Sequence, residues 1–229
     1  MSPRSIHIRK SATLATKISN DFYPPQNFID MRFLLDYCRH RLLTRDLIAS
    51  CQPFHCGDED FDEFFSVDAP LYHDARMSKS YCFTLISDPT VIVCAYSLSN
   101  DSVNVSHLPN ARKKKVNLDI DAAKRMNRYP ALLIGRLAVN SEFSNRGIGS
   151  ELISLIKRLA VMQDNLSDCR FLAVDAKNEN APLHYYEKNR FTYLYSTEKQ
   201  ESEHTSLNLP LKTRFMFFDL MNLSAEQGK

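Results

Sequence analysis

The sequence predicts an α/β fold, with a mixed, mostly antiparallel sheet and helices on both faces. Two observations carry this prediction. "SYCFTLIS" and "VIVCAYSLS" are β-rich runs separated by "DPT", a turn signature that joins them as a hairpin. "PALLIGRLAV", "GIGSELISLIKRLAVM" and "CRFLAVDA" then follow as strand, helix and strand, and a βαβ unit makes its two strands parallel. A hairpin leading into such a unit needs both pairing modes in one sheet.

The remaining elements fit around that frame. "FIDMRFLLDYCRHRLL" (residues 28–43) reads as an amphipathic helix. "GDEDFDEFFSVDAPLYHDA" offers Asp58 as N-cap, with acids in the first turn where the helix dipole favours them, and Pro70 should end or kink the helix. A polar stretch from Asn100 to Tyr129 separates the hairpin from the next strand. A short helix "APLHYYEKN" leads into "FTYLYS", and "TRFMFFDLM" closes the chain as a strand.

Composition excludes several classes of protein. The 229 residues are 44% hydrophobic, enough to fill a core without metals or disulfides. A net charge of +2 announces no nucleic-acid or membrane partner, so such a case must rest on local patches. No run of about 18 apolar residues exists, and no membrane span is expected. Six cysteines form no CxxC pair, and Cys82 and Cys94 lie inside apolar runs as small buried thiols. Cys51, His55 and Cys56 lack a second ligand pair, so no metal site is expected. Unpaired cysteines point to a reducing, cytoplasmic compartment. The first twenty residues are basic, Ser/Thr-rich and acid-free, a composition shared with transit peptides; they read rather as a disordered tail within an N-terminal extension, residues 1–41, partly helical or disordered. A single domain over residues 42–222 and a tail over 223–229 complete the division.

The chemistry centres on "SNRGIGSEL". Glycine is scarce, five in the chain, yet Gly147 and Gly149 stand one residue apart between a strand and a helix. Leu152, Leu155, Ile156 and Leu159 repeat at helical spacing, which puts the glycines at the helix N-terminus. Unsatisfied N–H groups and the positive end of the dipole make an anion site there, with Arg146 beside it. By itself a GxG is a weak signal and more often only shapes a tight strand–helix connection.

The wider pattern is more specific. "LLIGRLAVNSEFSNRGIGSELI" followed by "FLAVDAKNENAPLHYYEKNRF" resembles the GNAT superfamily of acetyl-CoA-dependent N-acetyltransferases, over roughly Leu42 to Leu220. That family carries a pyrophosphate loop, R/Q-x-x-G-x-G/A, and a later N-x-x-A-x-x-x-x-Y-E-K-x-G-F, matched here by Asn178, Ala181, Tyr186, Glu187, Lys188 and Phe191. Two positions depart from the pattern. Ser144 stands at the usual Gln/Arg position, and Arg190 replaces a glycine where a left-handed residue is expected, at about 1 kcal/mol unless the turn is rebuilt.

The resemblance implies a GNAT fold whose central strand pair splays apart, and it implies acetyl-CoA as cosubstrate. Leu137, Ala138 and Val139 would offer unpaired backbone to the pantetheine arm, with an N–H near Leu137 polarising the thioester. Arg146, Gly147, Ile148, Gly149 and Ser150 would hold the pyrophosphate, and Asn178 is a further family position on the cofactor side. Tyr186 stands where the family keeps the general acid that protonates the leaving thiolate. Its alternative reading is a half-buried aromatic, and its neighbour Tyr185 reads as core. Glu142 and His184 are candidate bases, neither of them assigned.

The implied activity is acetyl transfer to a primary amine. The acceptor stays open between a small or peptide amine and the amino group of aminoacyl-tRNA, the substrate of the toxin branch that the sequence resembles. A non-catalytic acetyl-CoA-binding module is the third class. For tRNA, the stretch after the hairpin supplies Arg112, Lys113, Lys114, Lys115, Lys124, Arg125 and Arg128 against Asp119 and Asp121. A charge run of this kind also suits a solvated loop. Homodimerisation stays open.

Overall fold

The structure, a computed structural model, describes residues 32–118, 120–163, 165 and 167–223. The basic N-terminal segment up to residue 31 and the tail from residue 224 lie outside the described residues. Seven strands form one sheet in the order β1-β2-β3-β4-β5-β7-β6. They are β1 (Cys38–Leu42), β2 (Lys79–Leu85), β3 (Ile92–Asn104), β4 (Arg128–Val139), β5 (Phe171–Lys177), β6 (Thr192–Tyr193) and β7 (Thr213–Asp219). Every pairing is antiparallel except β4 with β5, the two strands joined by α6 (Ile148–Ala160).

Side-chain alternation along β5 sorts the core by face. Leu172 and Val174 point into a cluster with Leu152, Ile153 and Ile156 of α6 and with Tyr186 of α7 (Asn180–Lys188). Phe171 and Ala173 point to the other face, against Leu108, Val116 and Leu194. Further along that second face, Ala95 and Ala138 pack under Leu47, Phe64, Phe65 and Ala69. These come from α2 (Arg45–Ser50), a π-turn (Phe64–Asp68) and α4 (Ala69–Asp74). Helices therefore cover both faces, as the sequence predicts.

The helix expected over residues 28–43 is corrected. Its first four residues lie outside the described ones; among the rest only α1 (Phe33–Tyr37) is helical, and the chain then turns into β1, pairing Cys38 with Leu85 and Leu42 with Tyr81. Phe33 and Leu34 are buried in the core that α6 fills, and the Leu34 N–H donates to Glu151 of α6 at 2.8 Å. A distant carboxylate thus supplies the cap. Arg39, His40 and Arg41 are exposed on the terminal strand, where charge discourages further pairing. Among the described residues, α1 and most of β1 thus lie ahead of residue 42 and pack with the sheet.

The expected hairpin is present as β2–β3, but β3 runs on to Asn104 and β4 starts at Arg128. Both ends of the polar stretch are thus strand. Asp58 precedes α3 (Glu59–Glu63) as its N-cap residue, although its side chain makes no capping bond. Pro70 does not end the helix: it follows the π-turn and sits in the first turn of α4, where a missing N–H is tolerated. "FTYLYS" contributes only Thr192 and Tyr193 to the sheet. Three helices, α2, α5 (Asn110–Val116) and α8 (Glu198–Thr205), lie in segments for which the sequence predicts none. Among the described residues no helix is long and apolar enough to cross a membrane.

Candidate active site

The sheet opens at its centre. β4 and β5 pair from Ala131↔Phe171 to Ile134↔Val174 and no further. Beyond that point β4 follows β3, with Leu137 opposite Tyr96 and Val139 opposite Cys94. β5 follows β7 instead, with Lys177 opposite Thr213. The register shift at the start of the gap leaves Gly135 unopposed, since Arg136 faces Ser97 while Ile134 faces Leu98. A Cβ on Gly135 would lie 3.0 Å from the Ser97 Oγ, which accepts the Arg136 N–H at 3.0 Å. A bulge bends a strand away from its neighbour, and here it turns β4 from β5. Leu137, Ala138 and Val139 thereby lack a strand partner on the β5 side, as an added extended ligand requires.

The strand ends in a tightly bonded corner. The Asn140 side chain donates to the Ile92 carbonyl at 3.1 Å and accepts the Glu142 N–H at 3.0 Å, closing a 3₁₀ turn over Ser141–Phe143. Ser144 donates its hydroxyl to the Ser141 carbonyl at 2.8 Å, so this residue stabilises the loop. Asn145 (φ 60°) and Gly147 (φ 79°) are both left-handed. Gly147 is the N-cap residue of α6 and no side chain caps that end. The N–H groups of Ile148, Gly149 and Ser150 in the first turn are therefore the available donors for an anion. Arg146 packs its guanidinium 5.9 Å from the centre of the Phe143 ring.

The two glycines do different work. A Cβ on Gly147 would meet nothing within 4 Å, so this position needs glycine for its left-handed backbone and open approach. A Cβ on Gly149 would stand 3.1 Å from the Tyr185 ring and hydroxyl. Tyr185 donates to the Gly149 carbonyl at 2.7 Å. Gly149 thus makes room for a side chain of this protein. Tyr185, expected as core, is only partly buried and ties α7 to the first turn of α6.

Further bonds hold the same two helices. Asn189 donates to Ser150 Oγ at 3.3 Å and to the Tyr185 carbonyl at 2.8 Å, and Lys157 donates to the Asn189 carbonyl at 2.7 Å. Arg190 does adopt the left-handed conformation (φ 67°) that the motif demands. Tyr186, one residue along from Tyr185, is 8% exposed and packs edge-on against Tyr185 and Phe191. Burial pushes its phenol above the ordinary tyrosine range, so it stays protonated at neutral pH.

Lys157 is itself a buried cation, lying 3.5 Å from the centre of the Phe218 ring. Burial, followed by the charge of Arg190, lowers its ammonium to about 8. The unfolded chain holds this proton more tightly than the folded one between about pH 8 and the free-lysine value of about 10.4. The contribution of Lys157 to stability is therefore smallest below pH 8 and grows through that window. Urea unfolding of the wild type and Lys157→Met should show the difference moving in favour of the wild type as pH rises, by on the order of 2 kcal/mol. A difference independent of pH would mean that the amine is not perturbed.

Other expected residues are placed as follows. Asn178 donates through Nδ2 to Glu198 at 3.0 Å and to the Leu211 carbonyl at 2.9 Å, which anchors α8. Glu142 and His184 are both exposed. Cys56 and His55 converge on Asp62, through the Cys56 N–H at 2.7 Å and a His55 contact at 3.4 Å. Burial pushes the Cys56 thiol up to about 12. Among the described residues no group of three or more His, Cys, Asp or Glu could hold a metal.

Sequence reasoning missed the second face of the opening. Arg136 lies 4.0 Å from the centre of the Phe64 ring and 3.5 Å from Asp60, while Lys177 at the end of β5 pairs with Asp58. The short helix α3 thus reaches both arms of the gap. Asp58 was visible only as a cap, and Arg136 only as part of a strand.

Comparison with known proteins agrees with this geometry. The profile of the acetyltransferase (GNAT) family matches residues 43–191. Among solved structures, AtaT complexed with acetyl-methionyl-tRNAfMet superposes with a TM-score of 0.62 at 18% identity, over 83% of this chain and 99% of that one. A tyrosine-to-phenylalanine mutant of KacT gives 0.61 at 16%, over 84% and 99%. AtaTR bound with AcCoA gives 0.58 at 16%, over 84% and 99%. At such identities the likeness is one of fold. The family profile, the strand that leaves its neighbour at Gly135 and the uncapped helix at Gly147 together place this chain in the GNAT family of acetyl-CoA-dependent N-acetyltransferases.

Proposed function

We propose that this N-acetyltransferase transfers the acetyl group to the α-amine of aminoacyl-tRNA. The observation that carries the reading is the basic stretch from α5 to the start of β4, in which Lys114, Lys115, Lys124, Arg125 and Arg128 are exposed. Exposed cations, two of them on the helix α5, suit a phosphate backbone. The likeness to AtaT, whose structure holds acetyl-methionyl-tRNAfMet, supports the same acceptor. Arg112 plays another part: it donates to the carbonyls of Tyr193 and Leu194, fastening α5 to the sheet. Lys113 likewise donates to the Ser106 carbonyl at 3.3 Å. The phosphate contacts therefore fall to the other five cations.

In this reading the residues divide the work. Bound acetyl-CoA supplies an activated acyl group. Backbone N–H groups of Arg146, Gly147, Ile148, Gly149 and Ser150 bind its phosphates, and the free edge at Leu137, Ala138 and Val139 orients its amide-bearing arm. Asn178 completes the cofactor side. Tyr186 holds a proton on its hydroxyl for the departing sulfur, and the apolar packing around it keeps that proton in place. The Tyr→Phe mutants among the similar structures of KacT and AtaT fit a tyrosine with a special role.

The test pairs salt with product. Affinity for tRNA should fall linearly on a log–log plot against salt, and Lys114→Ala with Lys115→Ala should make that slope shallower by about two contacts. Mass spectrometry should find an acetylated α-amine on aminoacyl-tRNA. An enzyme that acetylates other amines but marks no aminoacyl-tRNA would refute the acceptor while leaving the family intact.

A further inference from the structure

We propose that Arg136 is an oxyanion-binding residue on the acceptor side, holding a phosphate or carboxylate that the acceptor carries beside its reacting amine. The identity of the acceptor rests on the reading above, but the anion site does not.

The argument begins with faces. Leu137 packs with the cluster that contains α6 and α7, whereas Arg136 projects to the opposite face, over Phe64. The phosphate loop at the start of α6 and the Tyr186 hydroxyl belong to the first face. An amine attacking from that side would have to pass through packed helices, so the second face is the approach left to the acceptor. Arg136 stands on that face at the point where β4 has just left β5.

Its bonding is incomplete. The side chain is 27% exposed, yet Nε is buried with no hydrogen-bond partner among the described residues. Its one carboxylate contact among the described residues, to Asp60, is 3.5 Å long, and that aspartate is 66% exposed. A pair so open to water is weakly held and easily displaced. Buried donors without acceptors are uncommon in folded proteins and call for an explanation. A guanidinium carries five N–H donors in a fork that matches a phosphate or carboxylate. An incoming oxyanion that displaces Asp60 would satisfy the fork, and the contact with Phe64 keeps the cation in position meanwhile.

The neighbouring cation is less suited. Lys177 is already paired with Asp58, and that contact raises its pKa. Asp60, once displaced, lies close to the same opening and favours a positively charged amine. The site therefore suits a molecule bearing an amine and an oxyanion close together. An aminoacyl nucleotide presents phosphate, and a free amino acid presents carboxylate.

Four acceptors separate these sources: puromycin 5′-phosphate against puromycin, and methionine against methionine methyl ester. Wild-type enzyme should favour the anionic member of one pair at least tenfold in kcat/KM, about 1.4 kcal/mol. Arg136→Gln should bring that ratio close to one, and Arg136→Lys should retain part of it because the charge remains without the fork. Calorimetry with acetyl-CoA verifies that the cofactor half of each variant is intact. A preference confined to methionine supports the anion site and counts against an aminoacyl-tRNA acceptor. A preference that survives Arg136→Gln, or no preference and no acetylation of any of the four by wild-type enzyme, overturns the proposal, even for an enzyme that acetylates aminoacyl-tRNA.

Discussion

Replacing Tyr186 by Phe should lower turnover about a hundredfold and leave acetyl-CoA affinity within about twofold of wild type. The ring keeps its edge-on contacts with Tyr185 and Phe191, so packing is preserved and only the hydroxyl is lost. Tyr185 does not replace it, because its own hydroxyl is engaged by the Gly149 carbonyl. Burial raises the Tyr186 pKa, so the acid form persists above pH 10 and its loss should not appear as a basic limb below that value. Steady-state kinetics and calorimetry on the same preparation decide the matter. Equal losses in turnover and in cofactor affinity would make the phenol a binding group.

Gly147→Asp should weaken acetyl-CoA at least tenfold, about 1.4 kcal/mol, with little change in fold. The position is left-handed and open, and aspartate tolerates that backbone better than most side chains. The substitution fills the approach to the uncapped end of α6 and sets a negative charge where phosphate is to bind. A side-chain carboxylate would also cap the helix N-terminus itself, competing for the same N–H groups. Thermal unfolding separates this from damage to the fold. Unchanged affinity in a folded variant would remove the pyrophosphate from this loop.

Much of the frame was legible because its elements carry regular patterns. The strands around Cys82, Cys94 and Ala173, and the apolar stripe of α6, announce themselves by period. The helix α8 does not: it has no apolar stripe, and its buried Glu201 is held by Arg214 and the Phe215 N–H, both at 2.6 Å. Residues 28–43 misled for a related reason. Their helical spacing gives way to pairing between β1 and β2, a long-range gain that no local window contains. Within the site, the motif located Gly147 and Tyr186 but merged the duties of the two glycines. The left-handed backbone at Gly147 and the Tyr185 contact at Gly149 distinguish them. Arg136 was invisible as a ligand group because its bulge is set by pairing with β3, while its ring partner and its loose aspartate come from the distant segment 60–64.

The π-turn at Phe64–Asp68 has a consequence for how this opening tolerates change. Such a turn is an α-helix holding one residue too many. Each residue advances the helix by about 100°, so the surplus sets the rotation between the two ends. At one end Asp58 and Asp60 meet the two arms of the sheet, and at the other Ala69 is fully buried. Deleting the exposed Ser66 would relax the turn into regular helix and put these ends out of phase. Either the carboxylates swing away from Arg136 and Lys177, or Ala69 rotates out of the core. Substitutions along this segment change one contact at a time, but a single-residue deletion uncouples the acceptor mouth from the hydrophobic layer that supports it.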